Sequence, residues 1–116
     1  MSLSCHFELA FLIVRSNLFF EDYGLLSECR LEAMRENINA SLLIGNCLKA
    51  YLKDTYKITD EIRNGDKLYS IVDSITKKEG IHHFEFIEKA CREIVGKIEH
   101  HTGTKQSFWD KILPKM

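Results

Sequence analysis

Two histidine pairs and four cysteines are the residues of this sequence best equipped for chemistry. His82-His83 and His100-His101 could ligate a metal or relay protons, and Cys5, Cys29, Cys47 and Cys91 could serve as ligands or nucleophiles. Their spacing works against both uses. The histidine pairs lie about 18 residues apart, and a helix of that length separates its ends by roughly 25 Å at ~1.5 Å per residue. One protomer cannot bring both pairs to one metal. There is no H-x-x-x-H pair, no C-x-x-C, and no cysteine beside a histidine pair at zinc-ligand spacing. Each cysteine falls on or beside an apolar stretch, which predicts free thiols packed as small hydrophobes in a reducing compartment.

Other chemistries find no support either. No glycine elbow surrounds a candidate nucleophile, and neither G-x-G-x-x-G nor G-x-x-x-x-G-K-[ST] occurs to cradle phosphate. Glu21-Asp22 and Asp60-Glu61 are adjacent in sequence. Neighbours on a helix point in different directions, so these pairs suit solvated turns better than acid–base work. The sequence predicts no enzyme, no metal site and no cofactor.

The remaining features concern the elements themselves. At 116 residues the chain has room for one core. Sixteen basic against seventeen acidic residues give a net charge of −1, which argues against nucleic acid as the main partner. "MSLSCHFELAFLIVRS" has no basic leader, and its apolar run from Leu9 to Val14 is far shorter than the ~20 residues of a membrane span. The expected location is cytoplasmic, without membrane insertion. The sequon Asn39-Ala40-Ser41 is better read as a helix start, with Asn39 as the cap.

One proline, six glycines and the lack of alternating apolar runs favour helices over strands. About six helical segments follow. Phe7 to Arg15 is an apolar block, and "SNLFFEDYG" offers a break. Ser27 is placed to cap a segment with Leu31, Met34 and Ile38 on one face. Ile44, Cys47, Leu48 and Tyr51, widened by Leu43 and Leu52, predict the most buried helix. Thr59 could cap a single short turn, and Asp66 the next helix, striped by Leu68, Ile71, Val72 and Ile75. That helix stops at "KKEG", a basic last turn followed by glycine. Phe84, Ile87, Cys91, Ile94, Val95 and Ile98 line the last long helix, and a short amphipathic tail ends the chain. Leu48, Ile71 and Ile87 lie at mid-stripe and are expected to be buried together. The expected fold is all-α, a compact antiparallel six-helix bundle. Its expected divisions are an N-terminal extension (1–22), the bundle (23–103) and a tail (104–116).

The stretch "DKLYSIVDSI…TKKEG…FEFIEKACREI" resembles the fourth and fifth helices of the caspase-recruitment domain, a branch of the death-fold superfamily. The features that carry it are Asp66, Lys67, Ile71, Asp73, Ile75, Lys77, Gly80, Phe84, Ile87, Cys91 and Glu93. Upstream, "LSECRLEAMRENI", "SLLIGNCLKAYLKDTYKIT" and "DEIRN" resemble the first three helices, so the likeness covers roughly residues 25–103. The death-effector domain is a rival within the same superfamily; there "FELAFLIVRSNL" becomes helix one and every later helix moves up by one.

The resemblance implies a Greek-key bundle and an adaptor that binds other death-fold domains, with self-association, in apoptotic or innate-immune signalling. It implies a basic patch of Arg30, Arg35 and Lys67, extended by Lys77 and Lys78, facing an acidic patch of Asp54, Asp60 and Glu61. Near-zero net charge with both signs clustered suits such a heterologous contact. Two alternatives stand beside it. The charges can simply be a solvated face, or the chain can be an unrelated helical adaptor, viral or bacterial, that holds a partner helix in an apolar groove.

Overall fold

Asp22 sets the start of the first described helix. Its Oδ1 accepts the Leu25 N–H at 3.0 Å, as an N-cap carboxylate does. The computed structural model describes Ile13, Arg15, residues 20–58 and residues 65–113, with side chains from Leu68 onward in the last span. These residues form α1 (Tyr23–Arg35), α2 (Ala40–Tyr56), α3 (Gly65–Glu79), α4 (His83–His100) and α5 (Lys105–Ile112), with no strand among them. The fold is all-helical, as expected. Five helices are described where six were expected. The suggested Thr59 cap, Cys5, Asp60 and Glu61 lie outside the described residues, as does the side chain of Lys67.

Most helix ends are closed by local chemistry. α1 terminates at Asn37, which adopts φ 58°. The Ile38 N–H then donates to Ala33 O at 3.0 Å and the Asn37 N–H to Met34 O at 3.1 Å, a Schellman arrangement. Asn39 caps α2 as expected, accepting the Leu42 N–H at 2.8 Å. α3 starts at Gly65, so Asp66 falls inside its first turn rather than at the cap. It ends at Gly80, where φ is +70° and the N–H donates to Thr76 O at 2.8 Å. A side chain at that φ would be strained.

α2 and α4 form the central pair, α1 packs against both, α3 docks on α4, and α5 packs against α2. Leu43, Ile44, Cys47, Leu48 and Leu52 are fully buried, which makes α2 a core helix as its stripe predicts. From α4 come Phe86, Ile87, Ala90, Cys91 and Ile94, all at 0% exposure. The segments expected to flank the bundle contribute to the same core, through Ile13 and Phe20 before α1 and through Phe108 and Trp109 on α5. The thiols of Cys29, Cys47 and Cys91 are free and buried, and they meet where α1, α2 and α4 converge. Contact with Cys29 and Cys47, together with burial, pushes the Cys91 thiol well up, so it packs as a neutral group.

Two expectations about faces need correction. Ile71 is only half-buried, while Leu68, Val72 and Thr76 carry the inner face of α3. Thr76 is polar but satisfied, its hydroxyl donating to the α3 carbonyls of Val72 and Asp73. The histidines before α4 are also more than surface ornaments. His82 caps α4 by accepting the Phe84 N–H on Nδ1 at 3.1 Å. His83 stacks on Tyr69 and donates from Nε2 to Asp73 Oδ1 at 3.0 Å, which closes the α3–α4 hairpin.

Truncating Leu48 or Ile87 to alanine should cost about 2–5 kcal/mol by cavity formation, and Ile71→Ala less than either. Denaturant unfolding measures this, and equal losses at all three would place Ile71 in the core. A second expectation concerns acid. Lys77 and then His83 hold the Asp73 carboxyl below its ordinary range. The unfolded chain therefore binds that proton more readily than the folded chain. The stability from Asp73 is present above about pH 4 and lost as pH falls through the lower folded-state value. Asp73→Asn should remove that part of the acid-side slope when unfolding is followed against pH.

Candidate interaction surface

The face of α1 that points outward follows from which of its two apolar stripes is buried. With Ser27 as cap, Leu31 and Met34 would be the apolar stripe. With Asp22 as cap, α1 gains a turn, and its inner face becomes Leu25, Leu26, Cys29 and Ala33. Leu31 and Met34 then lie on the opposite side of the wheel, 49% and 74% exposed. Tyr23 joins them at 77%, because the eleven residues from Tyr23 to Met34 make about three turns at 3.6 per turn, with Leu31 on the same half of the wheel. Arg30 and Arg35 flank this strip on its two sides, both exposed. Leu42, 49% exposed, follows in the first turn of α2.

Two buried carboxylates fix α1 in that rotation. Glu88, on α4, is 9% exposed. Its Oε1 accepts the backbone N–H groups of Glu21 at 2.7 Å and Asp22 at 3.2 Å, just ahead of the helix. Negative charge at that end also meets the positive end of the α1 dipole. Arg92, one turn along α4, stands 3.6 Å from Glu88 Oε2 and 3.8 Å from Asp22 Oδ2. Toward the other end, Glu32 is 3% exposed on the inner side of α1. Lys105 of α5 pairs with its Oε1, and the Arg35 guanidinium lies 3.5 Å away. A buried carboxylate is tolerated only with such partners.

The expected patch residues separate on the structure. Arg30 and Arg35 share α1. Asp54, expected on an acidic patch, is ion-paired with Lys97 of α4 and lies among lysines rather than acids. Lys77, expected to extend the basic patch, pairs with Asp73 at 2.9 Å. Tyr23 was hidden because "SNLFFEDYG" reads as a break. The available signal was Asp22 three residues before Leu25, an N-cap ahead of the apolar pair Leu25-Leu26.

Among the described residues no group of histidine, cysteine, aspartate and glutamate side chains could hold a metal ion, and no helix is long and apolar enough to cross a membrane. No protein-family model, curated protein or solved structure matches the chain.

Glu88→Ala should cost about 1.5–3 kcal/mol, as expected when charge-assisted hydrogen bonds to backbone donors are lost. Hydrogen exchange should accelerate at the first turn of α1 before it does in α2. Unchanged exchange there would mean that Glu88 does not hold the helix start.

Proposed function

We propose that this chain is a protein–protein interaction module, an adaptor or regulator that acts by association rather than by catalysis, and that the outer face of α1 is its working surface. The observation that carries this reading is the strip of Tyr23, Leu31 and Met34 between Arg30 and Arg35. Single exposed apolar residues are ordinary on any protein. A run of them along one helix face, rimmed by charge, is the signature of a contact surface. Tyrosine, methionine and arginine are also the side chains that interfaces favour.

Arg30 and Arg35 select a partner with an acidic rim around an apolar centre. The resemblance to caspase-recruitment domains supports a second death-fold domain in that place, a copy of this chain included. In that reading the helices follow the Greek-key order, the module works in the cytoplasm in apoptotic or innate-immune signalling, and Lys67, Asp60 and Glu61 complete the paired patches. Asp54 enters as the partner of Lys97, not as a free acid. The strip is convex and lies on one helix. That favours this chain as the inserted element over a groove that receives a partner helix.

Leu31→Ser combined with Met34→Ser should weaken self-association by about tenfold or more, ~1.4 kcal/mol, with the unfolding midpoint unchanged. Arg30→Glu alone should weaken it in the same direction. Sedimentation velocity across a concentration series reads both. Variants that associate like the parent would remove α1 from the interface, and a parent that stays monomeric throughout would end the homotypic form of the proposal.

A further inference from the structure

The ends of α2, α4 and α5 enclose a cleft of about 510 Å³ whose lining charge runs opposite to that of the whole chain. Lys53, Lys57, Lys97 and Lys111 line it, with Asp54 as the one carboxylate among its lining residues. The chain as a whole carries −1, so this concentration of cations is local. Lysines near helix C-termini can simply complement the helix dipole, and the bonds here show how far that goes. The Lys53 ammonium donates to the carbonyls of Lys111 at 3.2 Å and Leu113 at 3.4 Å, and Lys57 donates to Asp54 O at 2.9 Å. Carbonyls at a helix end amount to about half a charge, so they orient these ammonium groups without neutralising them. Asp54 is taken by Lys97. Lys111 is exposed, with no ion pair to a described residue. Lys53, Lys57 and Lys111 thus share one concavity whose single lining carboxylate is already paired.

The back of the cleft is different in kind. Phe108 and Ile112 of α5 form an apolar wall, with His101 edge-on to Phe108 at 5.3 Å between ring centres. The His101 ring lies against Gly103, where a Cβ would come within 2.8 Å of its Nε2. A volume of this size, walled on one side and charged on the other, falls in the range of small-ligand sites.

We infer that this cleft is a binding site for a small molecule bearing two or more clustered phosphate groups, with its organic part against Phe108 and Ile112. Lysine ammoniums act as compact point charges and suit phosphate without the planar fork that a bidentate carboxylate site uses. Doubly charged groups set close together match the three cations left without a carboxylate, Lys53, Lys57 and Lys111, better than one carboxylate does. The same groups occur on a soluble nucleotide-like molecule and on a phosphorylated lipid headgroup, and the experiment separates these sources.

Lys57→Asn and Lys111→Gln remove two charges with little structural consequence. Lys57 sits at φ 59°, which asparagine accepts readily, and the Lys111 side chain is exposed. The parent, this double variant and a control, Lys89→Gln on the exposed side of α4, are titrated with tripolyphosphate by calorimetry. In parallel, they are tested for sedimentation with phosphatidylcholine vesicles with and without added phosphatidylinositol bisphosphate. The double variant should bind at least about tenfold more weakly, as expected when two of the charges attracting an anion are removed. The control should bind like the parent. Lysine-dependent binding in the soluble arm assigns a free phosphorylated ligand, and binding confined to vesicles assigns a headgroup. No saturable binding in either arm, or binding that the double variant retains in full, would overturn the site. None of these outcomes depends on the α1 surface.

Discussion

The Glu88 carboxylate on the backbone N–H groups of Glu21 and Asp22 is the contact on which the rest of this structure turns. It joins two segments 67 and 66 residues apart and decides where α1 begins. Beginning the helix at Tyr23 brings Leu25 and Leu26 into it, and with Cys29 and Ala33 they complete a second apolar stripe opposite Leu31 and Met34. Once Asp22 is the cap, Leu25, Leu26, Cys29 and Ala33 turn inward and Tyr23, Leu31 and Met34 turn out. Glu32 is carried inward with the first group, and Lys105 of α5, 73 residues away, reaches it there. The outer face of α1 is therefore the one left when the Leu25, Leu26, Cys29 and Ala33 stripe is buried and two inward acids find their partners.

That dependence explains what could be read from the sequence. α4 was legible because its apolar positions keep one phase from Phe84 to Ile98, with histidine at one end and a basic turn at the other. α2 was legible for the same reason, and Asn39 and Gly80 marked boundaries by chemistry that needs only the local backbone. α1 was not, because it carries two apolar faces and two plausible caps. Choosing between Ser27 and Asp22 takes a carboxylate from α4 that no local pattern reveals. The slip in α3 is smaller and of the same type. Ile71 and Val72 are adjacent, and only the seat of α3 on α4 decides which of the two is covered. Phe108 and Trp109 read as part of a tail in the sequence because no nearby residue shows that Lys105 and Lys53 tether α5 back to the bundle.

The charges tell a parallel story. Arg30 and Arg35 stand on opposite edges of the α1 strip, and Asp54 is paired with Lys97. That pairing leaves Lys53, Lys57 and Lys111 in excess around the α5 cleft. Two surfaces of different character result. One is apolar and arginine-rimmed, suited to a macromolecular contact, and the other is concave and lysine-lined, suited to a small anion.

The central claim is that α1 presents Tyr23, Leu31 and Met34 to solvent in the free chain and covers them on association. Hydroxyl-radical footprinting read at Met34 and Tyr23 over a protein concentration series tests it most directly. The account predicts rapid oxidation at both residues in dilute protein and protection that grows with association, while buried Trp109 stays slow throughout. Slow oxidation of Met34 in dilute protein would mean that the phase of α1 is wrong. Rapid oxidation that persists in the associated state would mean that this face is not the contact.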